Sequence, residues 1–333
     1  MSTLNVSNLA GPSSTGTAAI LASVNGGQIA GTRNRIINGD MDTDQRNAGA
    51  AQTFTAAAAL AYSVDRWYGY CTGANVTGQQ VAGATAGQFR YRFTGAASVT
   101  AIGFGQRIEQ LNSAALASST ATLSVDLANS LLTTVTWTAY YATTADTFGT
   151  LASPTRTQIA TGTFTVTSTV TRYSTNISVP AAATTGIEIV FTVGAQISGT
   201  LTIGNVQLEP GTVATPFERR SYGQELALCQ RYYEKSYNQS VVPGTASDVG
   251  MWCAVGSNTS SCGGLTWKVP KRAAPTVTLY SYDGTAGAVD KLASGTKVTG
   301  ATATDIGENS FRYVAVTTTT ESHKYQYALS AEL

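Results

Sequence analysis

Apolar positions along this chain recur mainly with a period of two. Phe89, Tyr91 and Phe93 alternate with Arg90 and Arg92, and Leu123, Val125 and Leu127 with Ser124 and Asp126. Val135, Trp137 and Ala139 alternate with threonines, and Ile187, Ile189, Phe191 and Val193 make a one-sided run. Such alternation marks strands buried on one face. Turn signals separate these runs and no convincing helical period intervenes, so residues 35–219 are expected to form packed antiparallel sheets. The pattern resumes after residue 241. Val277 and Leu279 alternate with Thr276, Thr278 and Tyr280, Phe311, Tyr313 and Ala315 with Arg312 and Val314, and Tyr325, Tyr327 and Leu329 form a last strand. Pro270 and Pro275 bracket Lys271-Arg272 and keep the ends of that turn out of a central strand. No repeat links the two β regions, which argues against a propeller or solenoid.

Between them, Ser198–Lys235 reads as a strand, a loop, a basic corner and a helix. Leu201 and Ile203 alternate with threonines, Gly204 breaks the phase, and Val206 and Leu208 restart it, as at a β-bulge. Pro210-Gly211 ends the strand. Ser221 and Gln224 have capping-box spacing, which predicts a helix from Ser221 to about Ser236, with Glu225 in its first turn and Arg231 and Lys235 near its end. Leu226, Cys229 or Gln230, and Tyr233 give it a narrow apolar stripe. A helix this short needs a surface, either its own sandwich or symmetry-related copies at a threefold axis. Residues 1–34 are polar with scattered apolar residues and read as a disordered tail or as an extended arm ordered by a partner. The expected organisation is all-β: an arm (1–34), a β-sandwich (35–219), a helix and linker (220–240), and a C-terminal β-domain (241–333).

The run NVQLEPGTVATPFERRSYGQELALCQRYYEKSY, residues 205–237, resembles the end of a domain common in virion structural and tail-fibre proteins of tailed bacteriophages. The start of that domain is matched by Arg35–Asp40 (RIINGD), followed by Gln45-Arg46 and Asp65-Arg66-Trp67. The likeness continues loosely through Val269–Ser281 to the terminal SAEL. The resemblance implies a virion part assembled in the host cytoplasm. Its sandwich would be a jelly roll of the carbohydrate-binding-module type, and its arm would attach it to other tail, baseplate or adaptor proteins. It also raises two readings of Trp67: a sugar platform, or a core residue beside an Arg66 paired with Glu109 or Glu209, the second being preferred. Related modules hold calcium between the NGD turn and a late Asp-Asn-Val strand. Here that strand reads Gly204-Asn205-Val206, so calcium is not expected. A homotrimeric tail fibre, with the arm and the helix stripe covered in the assembly, is the expected form.

Composition narrows the chemistry. Charged residues are 12% of the chain, about half the roughly 25% of typical domains, and net charge is +1. Broad attraction to nucleic acid or anionic membrane is therefore not expected, and no apolar run is long enough to span a bilayer. The N-terminus lacks the features of a signal peptide, so we expect synthesis in a cytosol and release by lysis. The single histidine, His323, has no G-x-S-x-G elbow to serve and is expected to be exposed at a strand start. Asp40, Asp42 and Asp44 resemble half of a calcium loop, but Gln45 and Ala51 stand where its glycine and bidentate glutamate belong, so a turn bonded to local amides is expected. Arg219, Arg220, Lys271 and Arg272 make no nucleic-acid patch; a corner salt bridge to Glu218 or Glu225 explains the first pair.

Cys71, Cys229, Cys253 and Cys262 have no zinc spacing. Cys253 and Cys262 could pair across a hairpin or remain free thiols, and the free form is preferred for a cytosolic product. No catalytic, cofactor or metal residue is predicted, and no enzyme activity. Candidate ligand-binding residues are Trp252, Tyr280, Tyr282, Tyr325 and Tyr327, which would stack on the sugar rings of a host surface glycan or pack between subunits. The expected function is host-surface recognition by a tail fibre. The alternatives are a tailspike-type glycan-degrading enzyme, which would need a long repeated β-helix with grooved carboxylates, and a carbohydrate-binding module.

Overall fold

The computed structural model describes residues 23–24, 27–28 and 32–333 apart from 58, 258–259 and 316–320, with 23–24, 27–28, 256–257, 260–264, 313 and 315 described as backbone alone. Apart from a hairpin of Ser23–Val24 with Gly27–Gln28, the 1–34 arm lies outside the described residues as far as Thr32. Asn34 belongs to the sandwich instead: it is buried, and its side chain bonds the Val206 carbonyl and the amides of Ile36 and Leu208.

Two six-stranded antiparallel sheets pack together, as the alternation requires. One runs, in spatial order, Arg156–Thr165, Thr134–Ala142, Ile187–Val193, Ala101–Ile108, Trp67–Thr72 and Ala61–Tyr62. The other runs Thr171–Val179, Ser119–Asn129, Thr200–Pro210, Phe89–Thr94, Val76–Ala82 and Gln52–Phe54. Neighbours distant in sequence, such as 119–129 beside 200–210, give the crossing connections of a jelly-roll-like sandwich. Tyr91, Phe93, Leu123, Val125, Leu127, Ile189 and Phe191 all point into one core. Phe104 is stacked between Trp67 (4.9 Å) and Tyr91 (5.0 Å). The expected bulge is present: the pairing of 200–210 with 119–129 shifts register between Gly204 and Gln207, and Asn205 has φ +46°.

The helix is Tyr222–Gln230 and ends earlier than Ser236. Ser221 has the extended backbone of an N-cap, but its hydroxyl makes no capping bond, and the last turn holds no basic residue. The chain leaves the helix because Tyr233–Lys235 pairs with Ala328–Ser330 in the C-terminal sheet. The apolar side of the helix is covered within the chain, where Cys229 and Tyr232 pack on Ile37 of the sandwich. Of the two surfaces considered for it, its own sandwich is the one used.

The C-terminal sheet is organised around His323–Ser330. That strand pairs with Trp252–Ser257 and Ala288–Lys291 near its start, and with Thr276–Tyr280 and Tyr233–Lys235 near its end. Its core holds Leu265, Trp267, Leu279, Phe311, Val314, Tyr325, Tyr327 and Leu329. Phe311 and Val314 are both buried, against the simple alternation expected there. The strand opposite them shifts register between Cys262 and Leu265.

Phe104 meets three rings of the sandwich core, those of Trp67, Tyr91 and Phe93. Phe104→Ala should therefore lower unfolding stability by about 3–5 kcal/mol, read as a reduced denaturation midpoint.

Candidate functional site

The residues that carry the sequence resemblance gather at one place, the joint between sandwich, helix and C-terminal sheet. Asn38 of the NGD turn has φ +55°, a conformation asparagine tolerates. Its side chain bonds Thr43 through both backbone groups and the Asp65 carbonyl. Its carbonyl accepts the Trp67 indole N–H at 2.9 Å, and its own N–H donates to Glu225 of the helix. Gly39 follows because a Cβ there would lie 2.2 Å from the Val206 carbonyl oxygen. Trp67 is fully buried, so the core reading holds over the platform reading.

The later motifs close the same joint. Glu209 accepts from the Thr215 amide (2.8 Å) and hydroxyl (2.6 Å), while Gln207 accepts from the Glu218 amide and Glu218 from the Asn34 amide. Arg220 pairs with Glu225 at 3.1 Å, the corner bridge expected, whereas Arg219 reaches Asp40 at 3.4 Å. Arg66 pairs with neither Glu109 nor Glu209. Its buried guanidinium meets Glu332 and lies 3.4 Å from the Tyr232 ring centroid. Glu109 is held by Arg231, at 3.1 Å. Arg46 bridges to Glu332 at 3.0 Å over the Tyr233 ring, and Tyr62 and Arg107 donate to the Leu333 carbonyl, each at 2.8 Å. Beyond the joint, Lys271 and Glu234 form a fully buried pair at 2.7 Å, with the Tyr327 hydroxyl on the same carboxylate.

Other candidate chemistry takes structural forms. Asp44 accepts the Asn47 and Gly49 amides at 2.9 Å, the local turn bonding expected. The residues that would line a calcium site do not fit one: Asp40 faces Arg219, and Asn205 donates to Asp126. Among the described residues no cluster of metal-ligating side chains occurs, and no helix is long and apolar enough to cross a membrane. His323 begins the last strand but is buried, contrary to the expected exposure. Its strand is flanked on both sides there, opposite Ala254 and Lys291, and burial lowers its pKa. Cys253 is a free, exposed thiol whose backbone lies opposite Lys324; the Cys262 side chain is outside those described.

The five candidate aromatics separate into three groups. Tyr325 and Tyr327 are core residues, against Phe311 and Trp267. Their strand is central and covered on both faces, so they cannot meet a ligand. Tyr280 is half-buried, edge-on to Tyr237 at 5.9 Å. Trp252 and Tyr282 are exposed, at 44% and 49%. Lys324 Nζ sits 5.8 Å from the Tyr282 ring, and Asp290 accepts the Tyr282 amide. Glu332, which the sequence reading passed over, emerges as the acid that pairs with Arg46 and Arg66. Only its place in the terminal SAEL hinted at a role.

No protein-family model matches the chain, and no curated protein does. Among solved structures it is similar to a CBM4 module, at 16% identity and TM-score 0.32, over 52% of this chain and 97% of that one. It is similar to the enzymatically active domain of tailspike protein 4 of bacteriophage CBA120, at 18% identity and TM-score 0.32, over 53% of this chain and 21% of that one. A third is TmCBM61 in complex with β-1,4-galactotriose, at 12% identity and TM-score 0.35, over 54% and 99%. The β-sandwich class stands on the two packed six-stranded sheets themselves.

Two measurements probe the joint. Glu332→Ala leaves the buried Arg66 without its carboxylate and should cost about 3–5 kcal/mol in chemical denaturation, with Glu332→Gln costing less. The second concerns Asp65, whose carboxyl burial pushes up to about 7 against the opposing pull of Arg46 and Gln45. The unfolded value is near 3.8, so between about pH 4 and 7 the native state holds a proton that the unfolded chain has released. Stability should fall as pH rises through that window, by up to about 1.4 kcal/mol per unit. Asp65→Asn should flatten the slope of melting temperature against pH; parallel curves for the two proteins would refute the assignment.

Proposed function

We propose that the protein is a structural component of a tailed-bacteriophage virion, a homotrimeric tail fibre that contributes to recognition of the host surface. The observation that carries this reading is where the family-like residues lie. The DRW and CQRYY segments meet the C-terminal domain, through Arg66 with Glu332 and through the strand Tyr233–Lys235, while the NGD, NVQLE and ATPFE segments brace the helix and the sandwich edge beside them. Residues used in this way belong to a rigid connector and not to a reaction centre. What the mount presents at the surface of the C-terminal domain includes Trp252 and Tyr282, side chains able to stack on the apolar faces of sugar rings. Single contacts of that kind are weak, and three copies on a fibre raise avidity without new contacts. The polar 1–34 segment is the part suited to ordering on another virion protein. The helix stripe plays no part in this trimer, since it is covered within the chain.

The purified chain should have about three times its 34.5 kDa mass in light scattering, and it should block adsorption of the parent phage to host cells. Trp252→Ala with Tyr282→Ala should weaken that block by about tenfold or more, the effect of losing one or two stacking contacts, with melting temperature unchanged. A monomeric mass, or a double variant that blocks as well as the parent, counts against the reading. Release of reducing sugar from host polysaccharide would favour the tailspike-type enzyme instead.

A further inference from the structure

A second surface feature lies on the outer face of the sandwich, beside the strand that carries Gly204 and Asn205. Arg90 and Arg92 occupy the polar face of strand Phe89–Thr94, between the inward rings of Phe89, Tyr91 and Phe93. Two strands further along the sheet, Asp126 lies opposite Arg172 on one side and opposite Gly204 on the other. Residues opposite one another in an antiparallel pair share a face, so these side chains stand in one row across the sheet. Gly204 is what lets the row close. A Cβ there would meet Arg90 Cγ at 2.7 Å, and its absence allows the Arg90 side chain to lie across the strand and reach Asp126. Arg90 Nη2 bonds Asp126 Oδ2 at 3.1 Å, and Arg172 Nη1 bonds Asp126 Oδ1 at 3.2 Å. Asn205 also donates to Asp126, and Arg172 further bonds Ser124 Oγ and the Asn205 carbonyl.

Arg90, Asp126 and Arg172, with Arg92, Thr202, Val170 and the 82–84 turn, line an open groove of about 460 Å³. Its charge does not balance. Three guanidiniums face one carboxylate, in a chain whose net charge is only +1. The carboxylate is already occupied by Arg90, Arg172 and Asn205. Arg92 has no acidic partner among the described residues; its Nε makes one long contact, 3.4 Å, with Thr202 Oγ1. Arg90 is 92% buried, and its Nε has no hydrogen-bond partner. A buried guanidinium with an unmet donor is costly unless something completes its bonding. Planar carboxylates and phosphates are the groups that guanidinium forks match best.

We infer that this groove binds an anionic substituent, a carboxylate or phosphate, carried on a sugar. The volume is within the range of small-ligand pockets, about 300–1,000 Å³, and exceeds what one free anion fills. Thr202 adds a hydroxyl of the kind that bonds sugar hydroxyls. The groove has no aromatic lining and the chain no wider basic field, which separates it from a nucleic-acid channel. The choice of a sugar as the bearer of the acid rests on the host-recognition reading; the anion site itself does not.

The test is calorimetric titration of the full chain with trigalacturonate, with its carboxyl-reduced neutral form, and with inorganic phosphate. Trigalacturonate should bind at least about tenfold more tightly than its neutral form, the scale of one charge-assisted hydrogen bond, and more tightly than phosphate. Its affinity should fall as salt rises. Arg92→Ala, at an exposed position, should remove most of the difference without lowering the melting temperature. Equal binding of acidic and neutral forms, no binding of either anion at millimolar concentration, or an unchanged affinity in Arg92→Ala would each overturn the anion site. Phosphate binding as tightly as trigalacturonate would overturn the sugar assignment alone. The virion reading is judged separately, by assembly mass and by adsorption.

Discussion

Asn38 has no polar atom to spare. Its N–H goes to Glu225, its carbonyl takes the Trp67 indole, and its amide side chain is divided between Thr43 and Asp65. Four separate parts of the chain are fixed by one buried residue: the NGD turn, the DRW strand, the loop that follows Asp40, and the helix. In a low-dielectric interior such a network is strong only when complete, because each unmade bond leaves a desolvated group behind. The left-handed backbone at Asn38 and the missing side chain at Gly39 are the local conditions that let the network form. The helix, which is too short to persist by itself, is held by Arg220, Glu225 and the packing of Cys229 and Tyr232 on Ile37.

The same economy governs charge. The chain carries few ionisable residues, yet many of them are buried pairs: Arg66 with Glu332, Arg107 and Arg156 with Glu188, and Lys271 with Glu234. Buried pairs add little net stability over apolar contacts of the same volume, but breaking one is expensive. They therefore fix geometry more than they raise stability. Here Arg66 with Glu332 ties the two β-domains together, while the pairs at Glu188 and Glu234 each lie within one of them. The polar faces of the strands are left to threonine, serine, asparagine and glutamine.

Most of the fold was legible because strand alternation is a local signal. The runs at 89–93, 123–127 and 187–193 placed their apolar residues on the core side as read, and the bulge at Gly204 followed from a single change of phase. Local signals failed where partners are remote. Nothing near Tyr233 announces that Ala328–Ser330 will draw it out of a helix into a sheet. Tyr325, Tyr327 and Leu329 read as a last strand and His323 as its exposed start, but that strand is central and covered on both sides, which only the topology reveals. The arginine row shows both cases: Arg90 and Arg92 were visible as a polar face, whereas Asp126 and Arg172 join them only through strand order.

The mount at the joint has two feet. Tyr233–Lys235 enters the C-terminal sheet beside the sandwich, and the same sheet returns its final strand there, so that Glu332 and Leu333 dock against Arg46, Arg66, Tyr62 and Arg107. Everything between about residues 236 and 330 is thus a closed excursion whose two ends are clamped to the same base. A lineage can rewrite the far loops of that excursion, or lengthen them, without disturbing the angle at which the domain is held. The domain is held at two separate points, so loss of the contacts at Glu332 and Leu333 would leave the Tyr233–Lys235 foot to hold it.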